Sequence, residues 1–531
     1  MSLRFRARTA SPRGVPPWGW LAGLGGLALL MLIAVGLWKG RPAVPCQPAT
    51  AAAPFALPTF RLAPLDPSAT VQVAVLPFAE PDATLREALN RLPPTLQPMG
   101  PYYALRFCSP VPGPLRLTVY IPDGLQPWTL ADLWGWTGTG WVWLGGQRDE
   151  AQGLLTSETS VAPRYVIVTA ARVPVPAFGA ILEPGTSPDA RALEVVSEVG
   201  IAGLTLGLGG RLMGEVSALP RPDPQGRYVT WLTVRNHLPG GAPNAAALAA
   251  LLASPAVYEA HVQEILRLVL ERGDNGVLVD YRGVTPDQRE AFLGFIARLS
   301  RALHDQGKVL AVAAPLPLPG GQGRFLPEGY DWARLGPPAD VLYVEAPDDP
   351  MAFVPGGLVE QSLRWLIGQV NRYQLQLVGP GLAVDLGPSG ARGLSFQEAL
   401  AGLGRLDPAG PLTLTPGLPL ILNPSVAVQE VRALPEAGVY RYTYTDPNGG
   451  AHTVWLPTLG LLDRQLGLVR DYRLRGLTVR GLLSGGTPPG TVEALETYRQ
   501  SGQAPGFPEM QWVWRITGPG GQVVAEITRP L

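Results

Sequence analysis

The sequence predicts an α/β protein: a (β/α)8 TIM-like barrel over residues 173–485, preceded by a single transmembrane helix and a small β-sandwich-like domain. Three observations predict it. The stretch Gly273-Asp-Asn-Gly-Val-Leu-Val-Asp-Tyr-Arg282 carries a short strand, Val277 to Tyr281, fed by one helix and followed by another. Short apolar strands separated by helical patterns recur through the second half of the chain, as parallel βαβ units require. Residues 18–38 form one apolar run, flanked by Trp18 and Trp20 at one end and Trp38 at the other.

The helix before the Gly273–Arg282 stretch opens on Ser254 and Pro255 and carries Val257, Ile265, Leu266, Val269 and Leu270 at helical spacing. Gly273 ends it. The helix after it is capped by Thr285, begins at Pro286 and has an apolar stripe of Phe292, Phe295, Ile296, Leu299 and Leu303, with Gly307 as its stop. The next strand, Lys308 to Ala314, is apolar after its first residue. Both strands therefore read as buried on two faces. In barrels of such units the site lies at the C-terminal ends of the strands, which places Asp280 and Arg282 there.

At the N-terminus, residues 1–14 are basic and expected to be cytoplasmic. Residues 15–40 hold the signal anchor. Its apolar run at about 1.5 Å rise per residue spans about 31 Å, the thickness of a bilayer core. Arg4, Arg6, Arg8 and Arg13 precede the run, so the N-terminus is expected inside and the bulk of the chain outside the cytoplasm. A cleaved signal peptide is the plainer alternative. Ala49-Thr-Ala51 is the nearest small-residue cleavage match and lies well past the run. Residues 41–59, rich in Pro and Ala, read as a stalk. Cys46 lies there and Cys108 in the next domain; outside the cytoplasm they can pair, but their spacing does not require it.

Residues 60–172 read as β-rich, with strands Val71–Leu76, Leu115–Ile121, Leu130–Trp136, Trp141–Leu144 and Tyr165–Thr169. Trp134 and Trp136 precede Thr137-Gly-Thr-Gly140, and Trp141 and Trp143 follow it. A hairpin there pairs Trp136 with Trp141 and Trp134 with Trp143, so all four rings share one face. That face is expected to be the sandwich core rather than a sugar-stacking platform.

The barrel strands are expected at Val175–Leu182, Ile201–Leu206, Tyr228–Val234, Val277–Tyr281, Val309–Ala314, Val341–Val344, Leu375–Val378 and Leu477–Val479, with helices including Val359–Tyr373 and Leu461–Tyr472. The Pro- and Gly-rich stretches 207–227 and 405–437 carry the weakest pattern. Val439–Thr445 and His452–Trp455 flank Asp446-Pro-Asn-Gly-Gly450, a hairpin signal inside the barrel. Residues 486–531 read as a C-terminal β-hairpin tail.

Lys and Arg number 42 and Asp and Glu 42, so the net charge is zero and nothing points to nucleic acid. The four histidines, His237, His261, His304 and His452, have no metal-ligand spacing, and His261 and His304 are expected at helix surfaces. No cofactor motif is present.

Laid without gaps on the Asp-Gly-x-Asp-x-Asp-x-Glu signature, Asn275 to Arg282 resembles glycoside hydrolase family 18, the chitinase-like barrels. The branch it resembles most includes spore-cortex and spore-germination hydrolases. The resemblance covers residues 173–485, and the hairpin near 439–455 stands where the family carries an insertion. Asp280 keeps the third acidic position, while the position of the catalytic acid is held by Arg282. On the sixth strand the family's Met-x-Tyr-Asp aligns with Glu345, Ala346, Pro347 and Asp348, so the tyrosine is lost. On the last strand Arg480 stands where the family places a floor tryptophan.

The resemblance implies a substrate-assisted hydrolase in which one protein acid protonates the leaving oxygen. Arginine holds its proton throughout the physiological range, so it does not serve as that acid. No catalytic residue is therefore assigned; Asp280 is a remnant and Glu345 the one acid placed to replace the missing group. The substrate-side set is Asp280, Tyr281, Arg282, Glu345, Asp348 and Arg480, in which the carboxylates are expected to pair with the arginines. Three readings follow. The chain is an inactive chitinase-like barrel that binds an envelope glycan, such as peptidoglycan or an N-acetylglucosamine polymer, or an envelope protein. It is an active hydrolase with a displaced acid. Or it is a structural envelope protein without a ligand. The bilayer is the partner expected for residues 18–38.

Overall fold

The computed structural model describes residues 44–216, 225–321, 324–407, 421–424, 428–506, 511–517 and 523–530. The expected segments 1–14 and 15–40 lie outside them. Among the described residues no single helix is long and apolar enough to cross a membrane.

Two sheets pack face to face in the N-terminal domain. One has six strands in the order Gln47–Thr50, Thr70–Phe78, Leu96–Phe107, Tyr165–Ala171, Ala131–Trp136, Trp141–Gly145. The other has five, in the order Phe55–Leu57, Phe60–Pro64, Leu115–Tyr120, Leu154–Thr159, Gln147–Asp149. Alternate residues meet between the sheets, among them Phe60, Leu62, Val73, Leu117, Val119, Leu133, Val166 and Val168. The segment read as a stalk, 41–59, is already strand at Gln47–Thr50 and Phe55–Leu57, because its apolar residues Ala49 and Phe55 are buried in that core. Cys46 and Cys108 are paired in a disulfide.

The tryptophan hairpin has the expected register, Trp136 opposite Trp141 and Trp134 opposite Trp143. Its face differs from the expectation. Ala131 and Leu133 belong to the sandwich core, so the pleat turns Trp134 and Trp136 to the other side of the sheet. There the rings pack under a short helix, Ala83–Leu89, through Leu85, Ala88 and Leu89, and against Tyr373 of the barrel. Trp141 Nε1 donates to the Ala88 carbonyl at 2.8 Å.

Eight parallel strands close the barrel: Ala177–Leu182, Glu198–Leu206, Val229–Arg235, Gly276–Asp280, Val309–Pro315, Val341–Glu345, Leu375–Gly379 and Gly476–Val479. The eighth pairs with both the seventh and the first. All eight coincide with expected strands, with ends shifted by three residues or fewer. Trp231, Leu278, Ala311, Ala313, Val341, Tyr343 and Val378 fill the interior. The opposite pleat positions, such as Val277, Val279 and Val312, meet the surrounding helices.

Those helices include Pro255–Arg272, closed by Gly273 at φ 71°, and Arg289–His304, entered through a capping box of Thr285 and Gln288. Leu358–Leu366 and Leu459–Tyr472 follow the sixth and seventh strands. The helix read as Val359–Tyr373 stops at Leu366 and resumes only as a short 3-10 turn, Arg372–Gln374.

Between the seventh strand and Leu459–Tyr472 lies an inserted five-stranded antiparallel sheet. It contains the expected hairpin as Val439–Thr445 and Ala451–Pro457. The 486–531 segment is more than a hairpin. Strands Gln511–Thr517 and Val523–Pro530 do pair, but Thr491–Ser501 is a helix whose Leu495 and Tyr498 are buried in the barrel core. Gly490, at φ 86° and last in the run Pro488-Pro-Gly, stands at the start of that helix.

The two domains are joined through buried charge. Arg372, fully buried, reaches from the barrel to Asp132 of the sandwich with Nε at 2.8 Å and Nη2 at 3.0 Å. Arg148 meets the same carboxylate at 3.1 Å. The Tyr373 hydroxyl sits between the Thr95 and Arg172 carbonyls at 2.8 and 2.9 Å.

Candidate functional site

The fourth strand starts at Gly276, where the fifth strand leaves no room for a side chain. A Cβ on Gly276 would stand 2.1 Å from the Val309 carbonyl oxygen. From that start the pleat sends Leu278 into the barrel, Asp280 to its mouth, and Val277 and Val279 to the helices.

Asp280 is buried at the C-terminal strand end. Arg282 reaches back to it, with Nε 2.9 Å from Oδ1 and Nη2 3.2 Å from Oδ2. His237 Nε2 lies 3.0 Å from Oδ2, and Arg235 Nε 3.3 Å from the same oxygen. Burial alone would raise the Asp280 pKa. The His237 hydrogen bond and the Arg282 guanidinium outweigh it and hold the carboxyl well below the usual carboxylate range. Burial likewise disfavours the charged form of Arg282, but Asp280 and Glu345 beside it keep its pKa raised.

The Arg282 backbone is fixed as well. Its N–H donates to Asn236 Oδ1, and its carbonyl accepts from Asn236 Nδ2, both at 2.8 Å. The guanidinium is thus held where the family signature calls for an acid.

Across the mouth, Glu345 ends the sixth strand. Its Oε2 lies 3.0 Å from Arg480 Nη2 and 3.6 Å from Arg282 Nη2. Arg480 follows the eighth strand, meets Asp348 at 2.5 Å and donates to the Ala346 carbonyl at 2.5 Å. Five of the six residues expected on the substrate side therefore form one chain of contacts: Asp280, Arg282, Glu345, Arg480, Asp348.

Tyr281 is the exception. It is fully buried, and its hydroxyl meets His261 Nε2 at 2.5 Å in the helix layer. One step along the pleat from Asp280, it faces away from the mouth. His261, expected at a helix surface, is instead buried on the barrel side of its helix, where Nδ1 donates to the Gly210 carbonyl at 2.5 Å and Nε2 accepts from Tyr281. His304 is exposed, beside Asp340 at 2.9 Å.

Sequence reasoning missed Glu183, Arg235, Asn236 and His237 at the mouth. Glu183, just beyond the first strand, holds Arg235 through both oxygens at 2.8 and 3.0 Å. The signal was present: the apolar third strand ends abruptly in Arg235-Asn-His237, three polar groups at a C-terminal strand end.

Chemically, the mouth presents guanidinium groups and carboxylates already paired with them. It offers many hydrogen-bond donors and acceptors to a polar ligand. At the acid position itself it offers a group that holds its proton throughout the physiological range.

No family model matches the chain. It is 24% identical over 271 residues to YdhD of Bacillus subtilis (strain 168), which bears the name sporulation-specific glycosylase. That match covers 49% of this chain, and the chain spans 60% of the relative's length. Among solved structures it is similar to the spore cortex-lytic enzyme SleL of Bacillus megaterium QM B1551, with 16% identity, 64% of this chain and 78% of the other covered, and a TM-score of 0.48. It is also similar to a chitinase from Chromobacterium violaceum ATCC 12472, with 20% identity, 61% and 99% covered, and a TM-score of 0.48. A fourth strand that keeps Gly276 and Asp280 of the signature, the closed eight-stranded barrel and the relative in Bacillus subtilis together mark this chain as carrying a glycoside hydrolase family 18-like barrel that resembles the spore-cortex branch.

Proposed function

We propose that the barrel mouth binds a cell-envelope glycan, peptidoglycan or another polymer containing N-acetylglucosamine, without cleaving it. The observation that carries this reading is the Arg282 guanidinium, fixed by Asn236 and Asp280 at the position of the family's acid. The names of the similar proteins, a glycosylase, a cortex-lytic enzyme and a chitinase, supply the glycan. The apolar run 18–38 supports a membrane-held protein with its barrel outside the cytoplasm.

An active hydrolase would need another acid. Glu345 stands between Arg480 and Arg282, and both contacts use its carboxylate as an acceptor, which works against a role as proton donor. A ligand-free structural barrel would be expected to close its mouth with apolar groups, and this mouth is charged.

The full chain, solubilised in detergent, is expected to co-sediment with insoluble peptidoglycan or chitin and to release no soluble sugar. Replacing Arg480 by Ala is expected to weaken that binding roughly tenfold, the scale of one lost charge-assisted hydrogen bond. Failure to co-sediment with either polymer would remove the glycan from this reading and leave an envelope protein as the partner to test.

A further inference from the structure

Away from the barrel, the sandwich holds a cavity of about 610 Å³. Its walls come from the helix Ala83–Leu89 and the turn after it, from the end of strand Leu96–Phe107, and from the start of strand Tyr165–Ala171. Its size is that of a small-molecule site rather than a gap between side chains.

Its charge is one-sided. Arg91, Arg106 and Arg164 line it, against one carboxylate, Glu87. Each arginine has a different neighbour. Arg91 lies over the Trp136 ring, 5.9 Å from its centroid, and 3.4 Å from Glu87. Arg106 donates to the Val44 carbonyl at 2.7 Å. Arg164 lies against the bare α-carbon of Gly138, where a Cβ would stand 3.0 Å from its guanidinium carbon. All three are exposed, so their guanidinium groups are open to an arriving anion.

The other part of the wall is the ring of Tyr165, with Arg91 covering the buried ring of Trp136. A bare inorganic anion would leave that surface unused, and a neutral sugar would leave the guanidiniums unused. We propose that this cavity is a second ligand site and takes an acidic saccharide. The carboxylate or phosphate would sit on Arg106 and Arg164, and the ring beside Tyr165 and the stacked Arg91–Trp136 pair. Arginine matches either oxyanion through two parallel N–H bonds. The site lies in a different domain from the barrel mouth and does not depend on the reading of Arg282.

The test is calorimetric titration of the full chain in detergent with glucuronic acid, glucose 6-phosphate, glucose and inorganic phosphate. At least one of the two acidic sugars is expected to bind saturably, and the better of the two identifies the anion as carboxylate or phosphate. Arg164→Ala and Arg106→Ala are each expected to weaken that binding roughly tenfold, the scale of a lost charge-assisted hydrogen bond. Matching thermal midpoints would show that both variants are folded. Several outcomes would overturn the proposal: no binding of either acid, glucose binding as tightly as the acids, inorganic phosphate binding as tightly as glucose 6-phosphate, or acid binding unchanged in both folded variants.

Discussion

On the proposed reading, Arg282 takes the place of the proton donor that the resemblance implies at its position. A carboxylic acid there would donate a proton to a leaving oxygen; the guanidinium instead pairs with Asp280 at 2.9 Å and stands 3.6 Å from Glu345. The residue before it shows how sharply the pleat divides roles. Asp280 is at the mouth, and Tyr281 is locked to His261 among the helices. Burial pushes the His261 pKa down to about 4, only partly offset by its bond to the Gly210 carbonyl. The folded barrel therefore binds the proton less readily than the unfolded chain, whose histidine titrates near 6.5. Stability from this neutral ring is complete above the unfolded value and lost as pH falls through the folded one. The thermal midpoint is expected to drop between about pH 6.5 and 4, with a loss on the order of 3 kcal/mol. His261→Gln should flatten that slope. A midpoint independent of pH across the window would show that the ring is not held neutral by the fold.

The elements were legible to very different degrees. All eight barrel strands could be read from the sequence, because each is a short apolar run, with helical patterns between most of them. The sandwich was harder. Leu96–Phe107 contains Pro98 and Pro101, which argue against a strand, yet it pairs on both sides and bulges between its partners Val166 and Val168. Helix Ala83–Leu89 has only seven residues, too few to show a periodicity. The tryptophan register was readable because a four-residue loop fixes it. Its face was not, since both sides of that sheet are covered and alternation cannot say by what. At the site, the signature fixed Asp280 and Arg282. The Arg235-Asn-His237 run is readable as a polar end to the neighbouring third strand, where Arg235 pairs in register with Asp280, whereas Glu183 reaches Arg235 from beyond the first strand, a contact that no local pattern records.

At the scale of the whole molecule, a buried carboxylate is one of the ties between the domains, beside the Tyr373 hydroxyl. Asp132 of the sandwich stands between Arg148 and Arg372, all three buried. Burial pushes the Arg148 pKa down to about 10, with Arg372 adding to the shift and Asp132 opposing it. Removing the carboxylate leaves two buried guanidiniums facing each other, a loss on the order of 3–5 kcal/mol. Asp132→Ala is therefore expected to lower the unfolding midpoint sharply and to let the sandwich melt apart from the barrel; an unchanged single transition would mean that the triad is not what joins them.

The larger question is whether a barrel with an arginine at the acid position still acts on glycans. The most direct measurement is release of soluble sugar from peptidoglycan and N-acetylglucosamine oligomers by the full chain, beside an Arg282→Glu variant. The wild type is expected to release none, and the variant to gain turnover if the old substrate groove persists. Inertness in both would mean that the other changed positions, Pro347 and Arg480, also block cleavage, and would leave the ligand to the co-sedimentation test. Turnover by the wild type would contradict the claim that Arg282 has ended the chemistry of this site.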